Sequence, residues 1–190
     1  MKRSVKALFS LSVAALVLGA GTPADATTAV LLSREELVRR SVAVARVTVG
    51  RSYTTESDDG RSIVTRTELT IAQPLKGGLA SKGGATTIVI EQIGGTYKGM
   101  TQRVLGDARL TPGEDAVVFL RPGDKGRWHF TALALSIYHV DAKGLARRSL
   151  EGLSLVRRSG RALVPIQAPA EEVEPVESLM TDVVRIAGGK

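Results

Sequence analysis

The chain has no cysteine, only two histidines, His129 and His139, and 4% aromatic residues. The missing thiols exclude a disulfide framework, a thiolate metal site, a cysteine nucleophile and an acylated N-terminal cysteine of the lipoprotein kind. Zinc asks for at least three protein ligands, and no His-x-x-x-His or Glu-rich helix accompanies the two histidines. They read as strand histidines with ordinary hydrogen bonds, and no metal or cofactor is expected. Gly-x-Ser-x-Gly is absent, so nothing advertises a nucleophile elbow. The glycine pairs at 77–78, 83–84 and 94–95 do not continue into the Gly-x-x-x-x-Gly-Lys-Ser/Thr of a phosphate cradle. Their expected role is turn geometry. After residue 26 there is no second long apolar run, so no stable membrane span is expected in the processed chain.

What is present begins at the N-terminus. Lys2, Arg3 and Lys6 precede an apolar run from Ala7 to Ala20, and Ala24-Asp25-Ala26 precedes Thr27. That order of charged, apolar and small residues is a secretory signal peptide, with cleavage expected before Thr27. The run is short for a bilayer span. The protein is therefore expected to be exported, periplasmic or secreted. Residues 27–190 make 164, enough for one domain with its own core. The formal net charge of +7 falls to +5 once Lys2, Arg3, Lys6 and Asp25 are removed. Outside the cytoplasm a basic balance favours anionic glycans, lipid headgroups or acidic proteins over genomic DNA.

Ser33 followed by Glu36 is a capping box, with Leu32 and Leu37 placed as a hydrophobic staple, and predicts a short helix over about Arg34 to Arg40. Val42 to Val49 is β-branched and reads as a strand. Asp59-Gly60 supplies a tight reversal. Ile63, Thr65, Thr67, Leu69 and Ile71 then alternate with polar residues as a second long strand, ended by Pro74 to Gly78. Further strands are expected at Thr86 to Ile93, Glu114 to Leu120, Trp128 to Phe130 and Ile137 to Val140. An irregular glycine-rich loop or hairpin around Val104 separates the first two of these. Beyond Asp141 one more hairpin or a cover is expected, then a proline and glutamate linker from Ala168 to Pro175. Val176, Leu179, Met180, Val183 and Ile186 recur at helical spacing and predict a C-terminal helix docked on the barrel, stopped at Gly188-Gly189. Short, evenly spaced strands without intervening helices predict a mainly β fold: a small antiparallel closed barrel of five to six strands with a short N-terminal helix and a C-terminal amphipathic helix. The expected organisation is a signal peptide over 1–26, a β-barrel domain over 27–167, and a linker with the C-terminal helix over 168–190.

Two regions offer binding chemistry. Thr96, Tyr97 and Lys98, in the loop from Gly94 to Gly99, can present an aromatic ring and an ammonium to a ligand, because binding residues concentrate on loops. Arg147, Arg148, Arg157 and Arg158 predict a basic patch on one face; no aromatics interleave with them to stack bases, which speaks against nucleic acid as a partner. His139 and Asp141 share a strand face as solvated neighbours. No catalytic residue is assigned.

The series from Val42 through Asp59-Gly60-Arg61, Ile63, Thr65, Leu75-Lys76-Gly77, Gly94-Gly95 and Gly99 continues with Gly106 and Gly113-Glu114 into Val117 to Leu120. Over about residues 37 to 140 it resembles an uncharacterised group of exported bacterial proteins and, more remotely, the netrin-like barrel of tissue inhibitors of metalloproteinases. The resemblance implies a barrel of the oligonucleotide/oligosaccharide-binding type with a flanking helix, binding through surface and loops. In the inhibitors an N-terminal cysteine chelates the protease zinc; without cysteine, that mechanism carries over at no residue. The expected function is a non-enzymatic binding module for an envelope or extracellular protein or an anionic glycan. The alternatives are a regulator or inhibitor of an extracellular protease acting through the segment from Thr27, and an envelope hydrolase with a cryptic acid/base pair.

Overall fold

The computed structural model describes residues 27–79, 86–167 and 171–189. The signal-peptide segment lies outside the described residues, as do Ala168 to Ala170 of the expected linker. In chain order the elements are β1 (Thr27–Val30), α1 (Arg34–Arg40), β2 (Ala43–Glu56), β3 (Ile63–Lys76), β4 (Thr87–Ile93), β5 (Gly95–Tyr97), β6 (Met100–Gln102), β7 (Asp115–Pro122), β8 (Trp128–Phe130), β9 (Ile137–Val140), β10 (Leu145–Ser149), β11 (Leu153–Ser159), β12 (Ala162–Pro165), β13 (Glu171–Pro175) and α2 (Val176–Ala187). The fold is mainly β. Its first described element is a strand rather than a helix: β1 runs parallel to β11, and α1 follows it. Ser33 caps α1 and Glu36 returns the bond to the Ser33 backbone, while Leu32 and Leu37 are both buried in one apolar cluster.

Eight strands join in the order β13-β10-β9-β7-β2-β3-β4-β8, and β8 also pairs with β7. That extra pairing makes a ring of five strands, β2, β3, β4, β8 and β7. The barrel is nonetheless not closed, which corrects the expectation from strand spacing. β8 has only three residues, and its link to β4 is the single pair Ile90↔Trp128. The sheet forks along β7: Asp115 to Val118 pair with β9, whereas Leu120 to Pro122 pair with β8. An edge that serves two strands in turn cannot give either a full-length ladder.

The apolar pattern of β7 follows from that position. Ala116, Val118 and Leu120 face the ring interior with Ala45, Val47, Leu69 and Ile90. Val117 and Phe119 face the other way, into a cluster with Val44, Tyr138 and the apolar stripe of α2. A strand buried on both faces reads as a continuous hydrophobic run. β2 and β3, each 14 residues long, curve to form the ring, and their register slips at three places, between Val44 and Ala45, Arg46 and Val47, and Val49 and Ser52. Such bulges bend a strand and raise its twist. A third, smaller cluster of Leu135, Leu150 and Leu155 lies under the sheet of β1, β11 and β12.

Two further corrections concern the glycine-rich and C-terminal segments. The hairpin after Gly94 is β5 and β6, closing at Lys98-Gly99 before Val104 is reached, and both turn residues have positive φ, 48° and 81°. That is the turn whose twist matches a two-residue hairpin. Glu171–Pro175 is not a linker but β13, paired in five positions with β10. Among the described residues no helix is long and apolar enough to cross a membrane.

Candidate functional site

A cleft of about 580 Å3 lies between the outer halves of β2, β3 and β4 and the irregular segment from Arg103 to Thr111. Its floor is a ladder of hydroxyls. Ser52 meets Thr67 at 2.8 Å and Thr54 meets Thr65 at 3.3 Å, and the Thr65 hydroxyl donates to the Gly94 carbonyl at 2.7 Å. These residues continue the inward face that carries Val47 and Leu69 lower down, so the ring interior turns from apolar to polar towards this end. Cross-strand hydroxyl pairs are a stable way to build such a surface.

The wall is pinned from several sides. Gln92 donates to the Ala108 carbonyl at 2.8 Å, and the Ala134 amide donates to the Gly106 carbonyl at 3.1 Å. Gly106 sits so close to β11 that a Cβ on it would stand 2.3 Å from Leu153 Cδ2. Asp107 lies within this wall, where burial pushes its carboxyl above the ordinary aspartate range, although the Ala108 amide donates to it at 2.8 Å. Arg103 and Arg109 line the same cleft, are exposed, and carry no ion pair among the described residues.

A second hollow of about 500 Å3 lies against the same segment and adds His139, Ser149 and Glu151 to Asp107 and Arg109. His139 is held by Glu114, Nδ1 to Oε1 at 2.6 Å, and not by Asp141, which accepts from Arg147 at 3.2 Å. His129 bonds the Glu91 carbonyl at 2.7 Å. Among the described residues no group of three or more His, Asp or Glu side chains is arranged to hold a metal ion.

At the opposite side of the β3–β4 face, an ion-pair cluster ties the β2–β3 turn to the β7–β8 turn. Asp58 accepts from Lys125, Arg127 and Arg66, and Glu91 accepts from Arg66 at 2.7 Å and lies 3.1 Å from Arg127. The bond from Lys125, then those from Arg127 and Arg66, hold the Asp58 carboxyl well below the usual range.

The residues predicted from sequence are not gathered at the cleft. Thr96, Tyr97 and Lys98 form the tip of the β5–β6 hairpin, while only its base, Gly94, Gly95 and Gln102, lines the cleft. Thr96 pairs with Thr101 at 2.9 Å, and the Lys98 ammonium lies 5.0 Å from the Tyr97 ring centre and 3.8 Å from Glu56. The predicted basic patch does not exist as one face. Arg148 is buried at 3% exposure, whereas Arg157 and Arg158 on β11 are exposed, and Arg147 pairs with Asp141 and Glu171. Successive strand residues point to opposite faces, so adjacent arginines cannot share one. The cleft residues escaped the sequence reading because serines and threonines at alternate strand positions look like a solvated face; the loop arginines at 103 and 109 were the available signal.

A scan against protein-family models finds no match to this chain, and a search among curated proteins finds none either.

Proposed function

We propose that the protein is an exported, non-enzymatic binding module of the partly open five-stranded barrel type, and that it holds a glycan in the hydroxyl-floored cleft. The observation that carries this reading is the cleft's chemistry. Hydroxyls, the amides of Gln92 and Gln102, and two unpaired arginines converge on a concavity in which Asp107 is the one carboxylate among the described lining residues. Sugar hydroxyls are met by such mixed donors and acceptors, and glycoside cleavage ordinarily takes two flanking carboxyl groups. The ring order supports the barrel type: the first strand pairs with the second and fourth, and the third runs parallel to the fifth. Barrels of this type bind oligosaccharides or oligonucleotides. Here the cations on the β3–β4 face are already paired with Asp58 and Glu91, which leaves little charge for a phosphate backbone. The protease-regulator reading would use the segment from Thr27, but β1 holds that segment in a sheet and the Thr27 hydroxyl donates to the Leu105 carbonyl.

The test is retention of envelope and secreted polysaccharides on the immobilised protein at about 0.15 M salt, where loose charge attraction is screened beyond about 8 Å. Saturable retention that Arg103→Gln/Arg109→Gln weakens supports the reading; retention that vanishes with salt, or is indifferent to those substitutions, overturns it.

A second reading, a hydrolase, rests on Asp107 and Glu151 both lining the adjacent 500 Å3 hollow. It requires release of soluble fragments from the retained polysaccharide, abolished by Asp107→Asn.

A further inference from the structure

Residues 157–165, the outer half of the β11–β12 hairpin, are all exposed. β12 lies at the edge of its sheet against β11, so beyond Val156 both faces of this two-stranded ribbon stand in water. Leu163 is 53% exposed and Val164 45%, and neither joins any of the three apolar clusters. Each stands beside an arginine: Leu163 is paired with Arg158 on one face and Val164 with Arg157 on the other, and Arg161 sits in the turn. The three guanidinium groups make no ion pair or hydrogen bond among the described residues. From Gly152 to Ala170 the chain holds no acidic residue.

A single exposed leucine or arginine is ordinary. Here an aliphatic side chain and a cation are repeated on both faces of one ribbon, and nothing on the ribbon balances the charge. A two-stranded hairpin gains little stability from side chains left in water, so the fold does not account for this composition. Strand addition by a peptide does not account for it either. The Ile166 amide donates to the Leu155 carbonyl at 3.0 Å, so by the alternation of the ladder Val164 and Ala162 turn their amides towards β11. Leu163 and Pro165 turn outward, and proline has no N–H, so the free edge of β12 offers one amide donor. An occupant must therefore satisfy side chains on two opposite faces at once. A lipid surface does that, because its boundary layer surrounds a protruding ribbon. Aliphatic side chains enter the edge of the acyl region, and arginines lay their stems beside them while the guanidinium stays among the headgroups. The unbalanced positive charge selects anionic headgroups.

We infer that the tip of the β11–β12 hairpin is a docking point for an anionic lipid surface, with Leu163 and Val164 entering the headgroup boundary and Arg157, Arg158 and Arg161 binding lipid phosphates. Guanidinium groups suit phosphates because their donors lie in a fixed fork. The attachment is peripheral, since the four residues of β12 are too few to cross a bilayer. The inference is independent of the glycan cleft, which no residue of the hairpin lines.

The experiment is flotation of the purified protein with vesicles of equal parts phosphatidylglycerol and phosphatidylcholine, and with vesicles of phosphatidylcholine alone, at about 0.15 M salt. Binding to the anionic vesicles and none to the neutral ones is expected. Arg158→Gln and Arg161→Gln are each expected to weaken it about fivefold, the scale of one basic side chain near a charged membrane. Arg61→Gln, an equal loss of charge at an 87% exposed side chain in the β2–β3 turn, leaves it unchanged. Because the chain has no cysteine, Leu163→Cys gives a single attachment point for an environment-sensitive dye. Its emission is expected to shift to the blue on anionic vesicles, whereas the same dye on Arg61→Cys does not shift. All three hairpin positions and Arg61 are exposed, so the variants leave the core untouched. The proposal is overturned by absence of binding to anionic vesicles, by equal weakening from Arg61→Gln, or by a dye at position 163 that stays in water while the protein floats. Capture on polyglutamate without binding to vesicles also overturns it, and would assign the hairpin to an acidic polypeptide.

Discussion

Arg66 and Glu91 face one another across the β3–β4 pairing, Nε to Oε2 at 2.7 Å, with both side chains only 15% exposed. Arg127 completes the contact from the β7–β8 turn, at 14% exposure and 3.1 Å from the same carboxylate oxygen. Glu91 therefore neutralises two half-hidden cations from two different parts of the ring. Removing one partner of a buried pair leaves the other charge uncompensated. Glu91→Gln is expected to destabilise by about 2 kcal/mol, below the fully buried range because water still reaches the cluster. For a domain of this size that is a fall in Tm of roughly 4–8 °C. Thermal unfolding at neutral pH checks it, and an unchanged Tm would mean the cluster is merely superficial.

Asp58 sets the acid behaviour of the same cluster. Its carboxyl is held low first by Lys125 and then by Arg127 and Arg66. A depressed folded-state value adds stability above the unfolded aspartate value of about 3.9, and that stability is lost as pH falls towards the depressed value. Asp58→Asn is expected to lower Tm near neutrality, with the gap from the parent closing below about pH 4. Melting curves across that range decide the matter; a gap that stays constant with pH would rule out an ionic origin.

Gly95 stands at the base of the β5–β6 hairpin with φ +126°, and a Cβ there would meet Thr54 Cγ2 and Thr65 Oγ1, each at 2.6 Å. Both conflicts push in one direction, lifting the hairpin off the hydroxyl floor. Gly95→Ala is expected to cost about 2–3 kcal/mol from backbone strain and overpacking together. It should weaken polysaccharide retention more than Gly99→Ala, because Gly99, at φ +81° in the exposed turn, has nothing within 4 Å of the built Cβ. Retention measured on both variants at a temperature where each is folded tests the geometry; equal losses would detach the hairpin base from the cleft.

Local chemistry was legible in the residues and long-range pairing was not. The Ser33/Glu36 box announced α1, the spacing from Val176 to Ile186 announced α2, and the alternation from Ile63 to Ile71 announced β3. Each of these signals lies within one element. The fork of β7 between β8 and β9 depends on which distant strand reaches its edge, and nothing in Asp115 to Pro122 encodes that. Glu171–Pro175 reads as linker by composition, yet Arg147 and Arg148 on β10 supply partners for Glu171 and Glu172, and those pairs accompany the ladder. Arg148 misled for the same reason. An arginine next to an arginine looks solvated until the fold provides Tyr138 and Glu172 around one of them.

Asp107 lines both the cleft and the adjacent hollow. Burial raises its carboxyl above the ordinary range, so the folded chain holds this proton to a higher pH than the unfolded chain does. A raised folded-state value for an acid works against stability: between the unfolded value of about 3.9 and the folded one, the folded chain binds more protons, and stability falls as pH rises through that window. Above it the ionised carboxylate remains a net cost. Asp107→Asn is therefore expected to raise Tm at neutral pH, with the advantage shrinking as the pH is lowered towards about 4. The same variant keeps the backbone acceptors and donors around Gln92 and Ala108, so polysaccharide retention should persist. If Asp107→Asn instead lowers Tm at every pH, the carboxylate is structural, and the desolvation argument fails. If it abolishes release of fragments while retention stays, Asp107 is an acid in a hydrolase whose second carboxylate is Glu151 of the adjacent hollow.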